Sequence, residues 1–284
     1  MNWAQLEKDF IAELAALYEE AEAKNIFFLM VKQVTGWGKA HYLLNKQEEI
    51  PLSRDEKMKA ILIVLQSGKP IQYILGETEF FGLRFKVNPS VLIPRPETEE
   101  LVQWILDSLP SDGEVALLDI GTGSGCIPIA LKHQLPQAKI FALDISETAL
   151  ATAKMNAEAN RTAIQFIQQD ILNPSDDLFA EKLDVIVSNP PYVRVAEQSL
   201  MRSNVLAFEP HTALFVPDDD ALIFYERIAD FALKNLKPGG LLFFEINEYL
   251  GEQTVELIDH KGFKNIELRK DFLGRDRMVK AFKL

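Results

Sequence analysis

An apolar run, Leu117-Leu118-Asp119-Ile120, passes directly into Gly121-Thr122-Gly123-Ser124-Gly125 and from there into a helical pattern. No other feature of the chain narrows its possible folds as much. A strand that enters a glycine loop and opens a helix is the first unit of an open α/β sheet, with ligands expected at the carboxyl ends of the strands. The residues that follow repeat the alternation. Lys139 to Ile145 reads as a strand, and Ser146 caps a helix running to about Ala159. Ile164 to Ile167 and Val185 to Val187 read as strands, Ala221 to Leu236 as an amphipathic helix ended by Lys237-Pro238-Gly239-Gly240, and Leu241 to Ile246 as a strand. A helix through His260 and strands at Ile266 to Leu268 and Met278 to Phe282 complete the set. Alternation of this kind predicts a mostly parallel sheet with helices on both faces. Only residues 269–277 separate the last two strands, too few for a helical crossover, so the final strand is expected to be antiparallel.

The first part of the chain has a different period. Trp3, Leu6, Phe10, Leu14, Leu17 and Tyr18 recur at helical spacing, and a second apolar run from Ile26 to Val34 stops at Thr35-Gly36-Trp37-Gly38. Ser53 with Glu56 predicts a capping box opening a third helix, which ends at Gly68 before Pro70. These helices are expected to form a small bundle. Phe80 to Val87, closed by Asn88-Pro89, predicts a β-hairpin, and a helix follows from about Thr98 to Leu109. The expected organisation is a helical bundle over 1–75 for substrate recognition, a β-hairpin linker over 76–94 and a catalytic domain over 95–284.

The glycine loop has the spacing GxGxG; Cys126 breaks the GxGxxG pattern of dinucleotide sites. Loop residues Gly121, Thr122, Gly123, Ser124 and Gly125 are candidate contacts for a nucleoside cofactor lacking a pyrophosphate, S-adenosyl-L-methionine. Asp144, 19 residues after Gly125 at the end of the second strand, is placed to accept hydrogen bonds from two ribose hydroxyls. Asp170 and Ile171 follow the third strand at the same edge and are candidates for the adenine, the acid through its amino group and the isoleucine by packing.

The fourth strand ends at Ser188 in Asn189-Pro190-Pro191-Tyr192. Two prolines fix the backbone in extended form and supply no N–H, so the segment presents acceptors: the Asn189 side-chain oxygen and the Pro190 carbonyl. An –NH2 group can donate one hydrogen to each, which aims its nitrogen lone pair at a methyl donor. Tyr192 offers a flat face to a planar amide or base. Asn189, Pro190 and Tyr192 are therefore the candidate catalytic residues, Asn189 to Tyr192 (with Pro191) the candidate substrate clamp, and Asn189 also a cofactor neighbour. Methyl transfer from a sulfonium is a direct displacement that depends mainly on positioning.

Composition excludes other classes. A net charge of -12 argues against a protein that tracks a nucleic-acid backbone, and no apolar stretch is long enough for a membrane helix. His41, His133, His211 and His260 are scattered without metal-ligand spacing, so no metal is expected. Met1 to Glu7 lacks the features of a secretory or mitochondrial signal. The single cysteine, Cys126, allows no intrachain disulfide, which fits a soluble protein of the cytoplasm.

The segments Gln72-Tyr73-Ile74-Leu75-Gly76, Phe80-Phe81-Gly82, Val91 to Glu99, the glycine loop, Asn189 to Tyr192, Phe208-Glu209-Pro210 with Ala213-Leu214, and Gly274-Arg275-Asp276-Arg277 occur in this order. In this the chain resembles the N(5)-glutamine methyltransferases of peptide chain release factors (the PrmC/HemK family), from about residue 70 to the end. The resemblance implies a class I, Rossmann-like methyltransferase domain. It also implies the glutamine of a release factor's Gly-Gly-Gln loop as substrate, with Gly121, Gly123, Gly125 and Asp144 on the cofactor and Asn189 to Tyr192 on the glutamine amide. The rival expectation is an adenine-N6 methyltransferase acting on RNA or DNA, since an adenine amino group poses the same geometric problem. A non-enzymatic binding module and a nicotinamide-dependent oxidoreductase stand further off.

Overall fold

The computed structural model describes residues 1–109, 114–175 and 178–284, which fall into two compact units. The first comprises residues 1–76 and 202–208. Its helices are α1 (Trp3–Leu14), α2 (Glu20–Thr35), α3 (Lys39–Asn45), α4 (Leu52–Leu65) and α5 (Ile71–Leu75). Asn2 caps α1 by accepting from the Gln5 N–H at 2.9 Å, and Gly36, at φ 76°, ends α2 in the left-handed conformation that spares glycine a Cβ clash. Trp3, Leu6, Phe10 and Leu14 line one face of α1 and meet Phe27, Met30 and Tyr42 in a closed apolar core. Leu17 departs from the expected stripe. The helix ends at Leu14, a turn carries the chain round, and Leu17 is exposed. The expected capping box at Ser53 is absent as well. Pro51 starts α4 two residues earlier, its carbonyl taking the N–H groups of Arg54 and Asp55, because its fixed φ of -57° already suits a helix entry.

The second unit begins with β1 (Glu77–Phe80) and β2 (Leu83–Lys86), an antiparallel hairpin whose two turn residues, Phe81 and Gly82, both take positive φ. The chain continues through α6 (Pro96–Ser108), β3 (Ala116–Ile120), α7 (Cys126–Gln134), β4 (Lys139–Asp144), α8 (Glu147–Ala159), β5 (Gln165–Gln168), β6 (Leu183–Ser188) and β7 (Val193–Arg194). The short helix α9 (Ser203–Phe208) is grouped with the first unit, where Arg202 forms an ion pair with Glu22 at 2.6 Å. Then follow β8 (Phe215–Val216), α10 (Ile223–Asn235), β9 (Leu236–Glu245), α11 (Gly251–His260), β10 (Lys264–Lys270) and β11 (Asp276–Phe282).

Seven strands form one sheet in the order β10-β11-β9-β6-β3-β4-β5. The pairs among β9, β6, β3, β4 and β5 are all parallel, whereas β11 runs antiparallel to both neighbours, as the short last connection requires. Neighbouring residues in a strand face opposite sides. Thus Leu117, Val185, Val187, Leu241 and Phe243 pack against α6 and α7, while Leu118, Ile120, Ile186, Leu242 and Phe244 pack against α10. Residues 237–240, expected to close a helix, lie within β9. The helix stops at Asn235, Leu236 pairs with Leu183, and Gly239 and Gly240 exchange backbone hydrogen bonds with Lys283 around a register shift. No helix among the described residues is long and apolar enough to cross a membrane.

Candidate active site

The strand order reverses between β3 and β6. Chain coming off β3 turns towards β4 and β5, and chain coming off β6 towards β9. Such a switch point leaves a crevice at the carboxyl ends of the strands. Ile120 and Ser188 are paired across it, and the Ser188 hydroxyl donates to the Ile120 carbonyl at 2.7 Å. Gly121 and Asn189 are the next residues on each strand, so the glycine loop and residues 189–192 start side by side, about one strand spacing of 4.8 Å apart.

The loop is held from two sides. Gly121 and Thr122 donate backbone hydrogen bonds to the Leu143 carbonyl at 2.8 and 3.0 Å. One carboxylate oxygen of Asp144 accepts the Gly123 N–H at 2.8 Å, and the other accepts the Ser146 N–H at 2.9 Å. Burial raises the Asp144 carboxyl above its ordinary range, and these backbone donors pull it back. Sequence reasoning placed Asp144 at the right edge but did not foresee its grip on the loop. Each carboxylate oxygen has a second acceptor site, which leaves both able to take a ligand hydroxyl. Asn156, fully buried on α8, donates to the carbonyls of Ser124 and Lys86 and accepts from the Lys86 N–H, joining the loop to the hairpin.

The glycines differ in what surrounds them. Gly121 and Gly123 have φ of 75° and 54°, and a Cβ on either would meet nothing within 4 Å. Those positions leave room for a ligand to approach the backbone. A Cβ on Gly125 would stand 3.0 Å from the Ile129 side chain and 3.1 Å from that of Ala153. Ser124 and Thr122 are buried, and neither the Thr122 hydroxyl nor either oxygen of Asp119 finds a well-formed hydrogen bond among the described residues. Burial pushes the Asp119 carboxyl up to about 7, and the Asp144 charge adds to the rise against the pull of the nearby Thr122 hydroxyl. An acid inside the apolar run of β3 was the available signal for this residue.

At β6 the side chain of Asn189 donates through Nδ2 to the Thr98 hydroxyl at 3.4 Å. Among the described residues neither its Oδ1 nor the Pro190 carbonyl accepts a hydrogen bond. Pro190 is buried and Pro191 half-buried. The Tyr192 hydroxyl donates to Glu245 at 3.1 Å, and Asn247 donates to the Tyr192 carbonyl at 2.9 Å. Burial, with Glu245 nearby, raises the Tyr192 phenol far above its ordinary value, so it stays protonated. A cavity of about 460 Å³ opens beside Tyr192, with Glu197, Asn247, Tyr249, Arg275 and Arg277 in its wall. Asp170 lies just past β5, beside the end of β4, where Gln169 bonds the Asp144 carbonyl. Its carboxylate is engaged by Leu172 and Asn173, and Ile171 is buried in the core. Thr98, Glu245 and Asn247 are the polar residues of this site that sequence reasoning did not single out. Thr98 stands in the segment Val91 to Glu99 without a role of its own, and a glutamate closing the apolar run 241–244 was the visible sign of Glu245. No group of three or more metal-ligating side chains occurs among the described residues.

Fold and site together define a Rossmann-like methyltransferase. Residues 98–208 match the methyltransferase small domain, and the fold superposes on a methyltransferase from Pyrococcus furiosus with a TM-score of 0.53 at 20% identity, covering 80% of this chain and 98% of that one. Residues 5–76 match the PrmC N-terminal domain. The chain is 47% identical over 283 residues to the release factor glutamine methyltransferase of Flavobacterium psychrophilum, with 96% of each chain covered. It is 42% identical to that of Bacteroides thetaiotaomicron, with 94% of this chain and 95% of the relative covered. The chain belongs to the release factor glutamine methyltransferase family.

Proposed function

We propose that this protein transfers a methyl group from S-adenosyl-L-methionine to the side-chain amide nitrogen of the glutamine in the Gly-Gly-Gln loop of peptide chain release factors, in the cytoplasm. The observation that carries the reading is a pair of acceptors, Asn189 Oδ1 and the Pro190 carbonyl, that take no hydrogen bond among the described residues and stand one strand away from the open glycine loop.

The residues present fit the donor. It is a cation without phosphate, and the loop offers it the unpaired buried carboxylate of Asp119 and the uncrowded backbone of Gly121 and Gly123. Thr122, Ser124 and Gly125 complete the cradle, Asp144 takes the ribose hydroxyls, and Asp170 with Ile171 borders the adenine. The donor supplies a methyl group activated by positive sulfur. Asn189 and Pro190 each accept one hydrogen of the target –NH2, which turns the nitrogen lone pair out of conjugation. Pro191 keeps the segment extended, and the ring of Tyr192 lies along the amide plane. Orientation of this kind lowers a barrier by up to roughly 7–11 kcal/mol; once methylated, the nitrogen is strongly acidic and sheds one of its two hydrogens to solvent, so the site needs no acid–base pair. The net charge of -12 weighs against a nucleic-acid target. The helices of residues 1–75 are assigned to recognition of the partner, and residues 76–94 to the linker.

Mass spectrometry of the release-factor loop after incubation with enzyme and cofactor tests the reading directly; an unmodified glutamine refutes it. Asn189→Ala is expected to reduce turnover by about 10²-fold or more while calorimetry shows nearly unchanged cofactor affinity. Asp144→Ala should weaken cofactor binding first.

A further inference from the structure

We infer that Thr98 and Glu245 form a polarised relay that sets which end of the Asn189 amide faces the acceptor and strengthens it there, while Glu245 also anchors Tyr192. Both are positioning residues. The inference rests on the proposed role of Asn189 in holding the target nitrogen.

The two prolines fix the backbone after Asn189, but nothing in them fixes the rotation of its amide. The two ends of an amide are nearly equal in size, so packing alone discriminates weakly between oxygen inward and nitrogen inward. Hydrogen-bond polarity does discriminate. The Thr98 hydroxyl, 2% exposed, donates its single hydrogen to Glu245 Oε2 at 2.6 Å. Towards Asn189 it can therefore only accept, and the 3.4 Å contact must be made by Nδ2. Oδ1 is left on the opposite side, free for a donor. Removing the hydroxyl would leave the amide free to turn its –NH2 towards the target –NH2, where two donors meet.

Glu245 drives the relay. It ends β9, the strand next to β6, with Ser188 paired to Phe244, and is 1% exposed. Its second oxygen accepts from Tyr192 at 3.1 Å. Burial raises the Glu245 carboxyl above its ordinary range, and the Thr98 and Tyr192 hydroxyls and the positive charge of Arg277 pull against that rise; two hydroxyl donors on one carboxyl are the partners an ionised carboxylate takes. A carboxylate at one end of a hydrogen-bond chain polarises the bonds beyond it. Here that makes the Asn189 oxygen a stronger acceptor. A single buried charge thus holds both side chains that flank the prolines.

The test uses the full chain with a release-factor substrate and reads kcat, KM and cofactor affinity separately. Thr98→Val should lower kcat about 10- to 100-fold, the scale of one charge-assisted hydrogen bond, with cofactor affinity within about twofold of wild type. Thr98→Ser should restore most of the loss. In an Asn189→Ala background, Thr98→Val should cause no further fall, because the relay has nothing left to orient. Should the valine variant be too unstable to assay, Glu245→Gln decides by the same readouts. An unchanged kcat in Thr98→Val, an equal loss in Val and Ser, or independent losses in the double variant would each overturn the relay while leaving the proposed reaction standing. Full turnover by Asn189→Ala would overturn both.

Discussion

Gly125→Ala separates packing from ligand binding within one loop. The new methyl would sit 3.0 Å from Ile129 Cδ1, 3.1 Å from Ala153 Cβ and 3.4 Å from Ala153 Cα. Ile129 can shift the end of its side chain, but Ala153 is fully buried on α8 and moves only with its helix. Overpacking of this kind costs about 1–3 kcal/mol. The backbone adds to it, because φ at Gly125 is 79°, and an L-residue there is destabilised by roughly 1–2 kcal/mol. Together these predict a loss of about 3 kcal/mol, or roughly 6 to 12 °C in Tm for a domain of this size. Gly123→Ala is the control. At φ 54° with no atom within 4 Å it carries only the backbone term, about 1–2 kcal/mol. Its methyl, however, projects into the space assigned to the cofactor. Urea unfolding followed by circular dichroism should therefore rank Gly125→Ala well below Gly123→Ala in stability. Calorimetry with S-adenosylmethionine should show the larger affinity loss, tenfold or more, for Gly123→Ala. A Gly125→Ala protein no less stable than Gly123→Ala, showing only the backbone term of about 1–2 kcal/mol, would refute the packing argument.

Two further substitutions test the supports of the same loop. The Asp119 carboxyl sits near 7 in the folded protein against an ordinary 3.8, so the folded state holds the proton more tightly. Its contribution to stability is complete below about pH 4 and is lost as pH rises through 7. Asp119→Asn should remove this slope, gaining on the order of 2 kcal/mol over wild type between pH 5 and pH 8; urea titrations that move in parallel across that range would contradict it. Asn156→Ala strips partners from the part-buried backbone of Lys86 and the buried carbonyl of Ser124 and should cost about 2–4 kcal/mol. Hydrogen exchange should then rise in both the hairpin and the glycine loop, and a rise in only one would contradict the link.

The sheet was legible because its central strands are buried on both faces and its helices on one, two patterns that differ in period. The reversed last strand was legible from the length of one connection. Residues 237–240 misled because Lys-Pro-Gly-Gly carries turn chemistry, whereas the pairing of Leu236 with Leu183 that carries β9 back to Leu236 is set by a strand 53 positions away. The acceptors of Asn189 and Pro190 could be read locally, since prolines dictate their own backbone. The relay behind them could not. Thr98 and Glu245 are 147 positions apart; Thr98 stands in the segment Val91 to Glu99 with no role of its own legible there, and Glu245 is one of 42 acids. They meet because α6 packs on β9, and Glu245 reaches the site because β9 lies beside β6 in the sheet although β7, α9, β8 and α10 come between those two strands in the chain. Strand adjacency decides which of many carboxylates is buried against the site. A glutamate closing an apolar strand becomes informative once that strand is known to border the switch point, since a charge in so dry a place requires donors, and Thr98 and Tyr192 are the ones within reach.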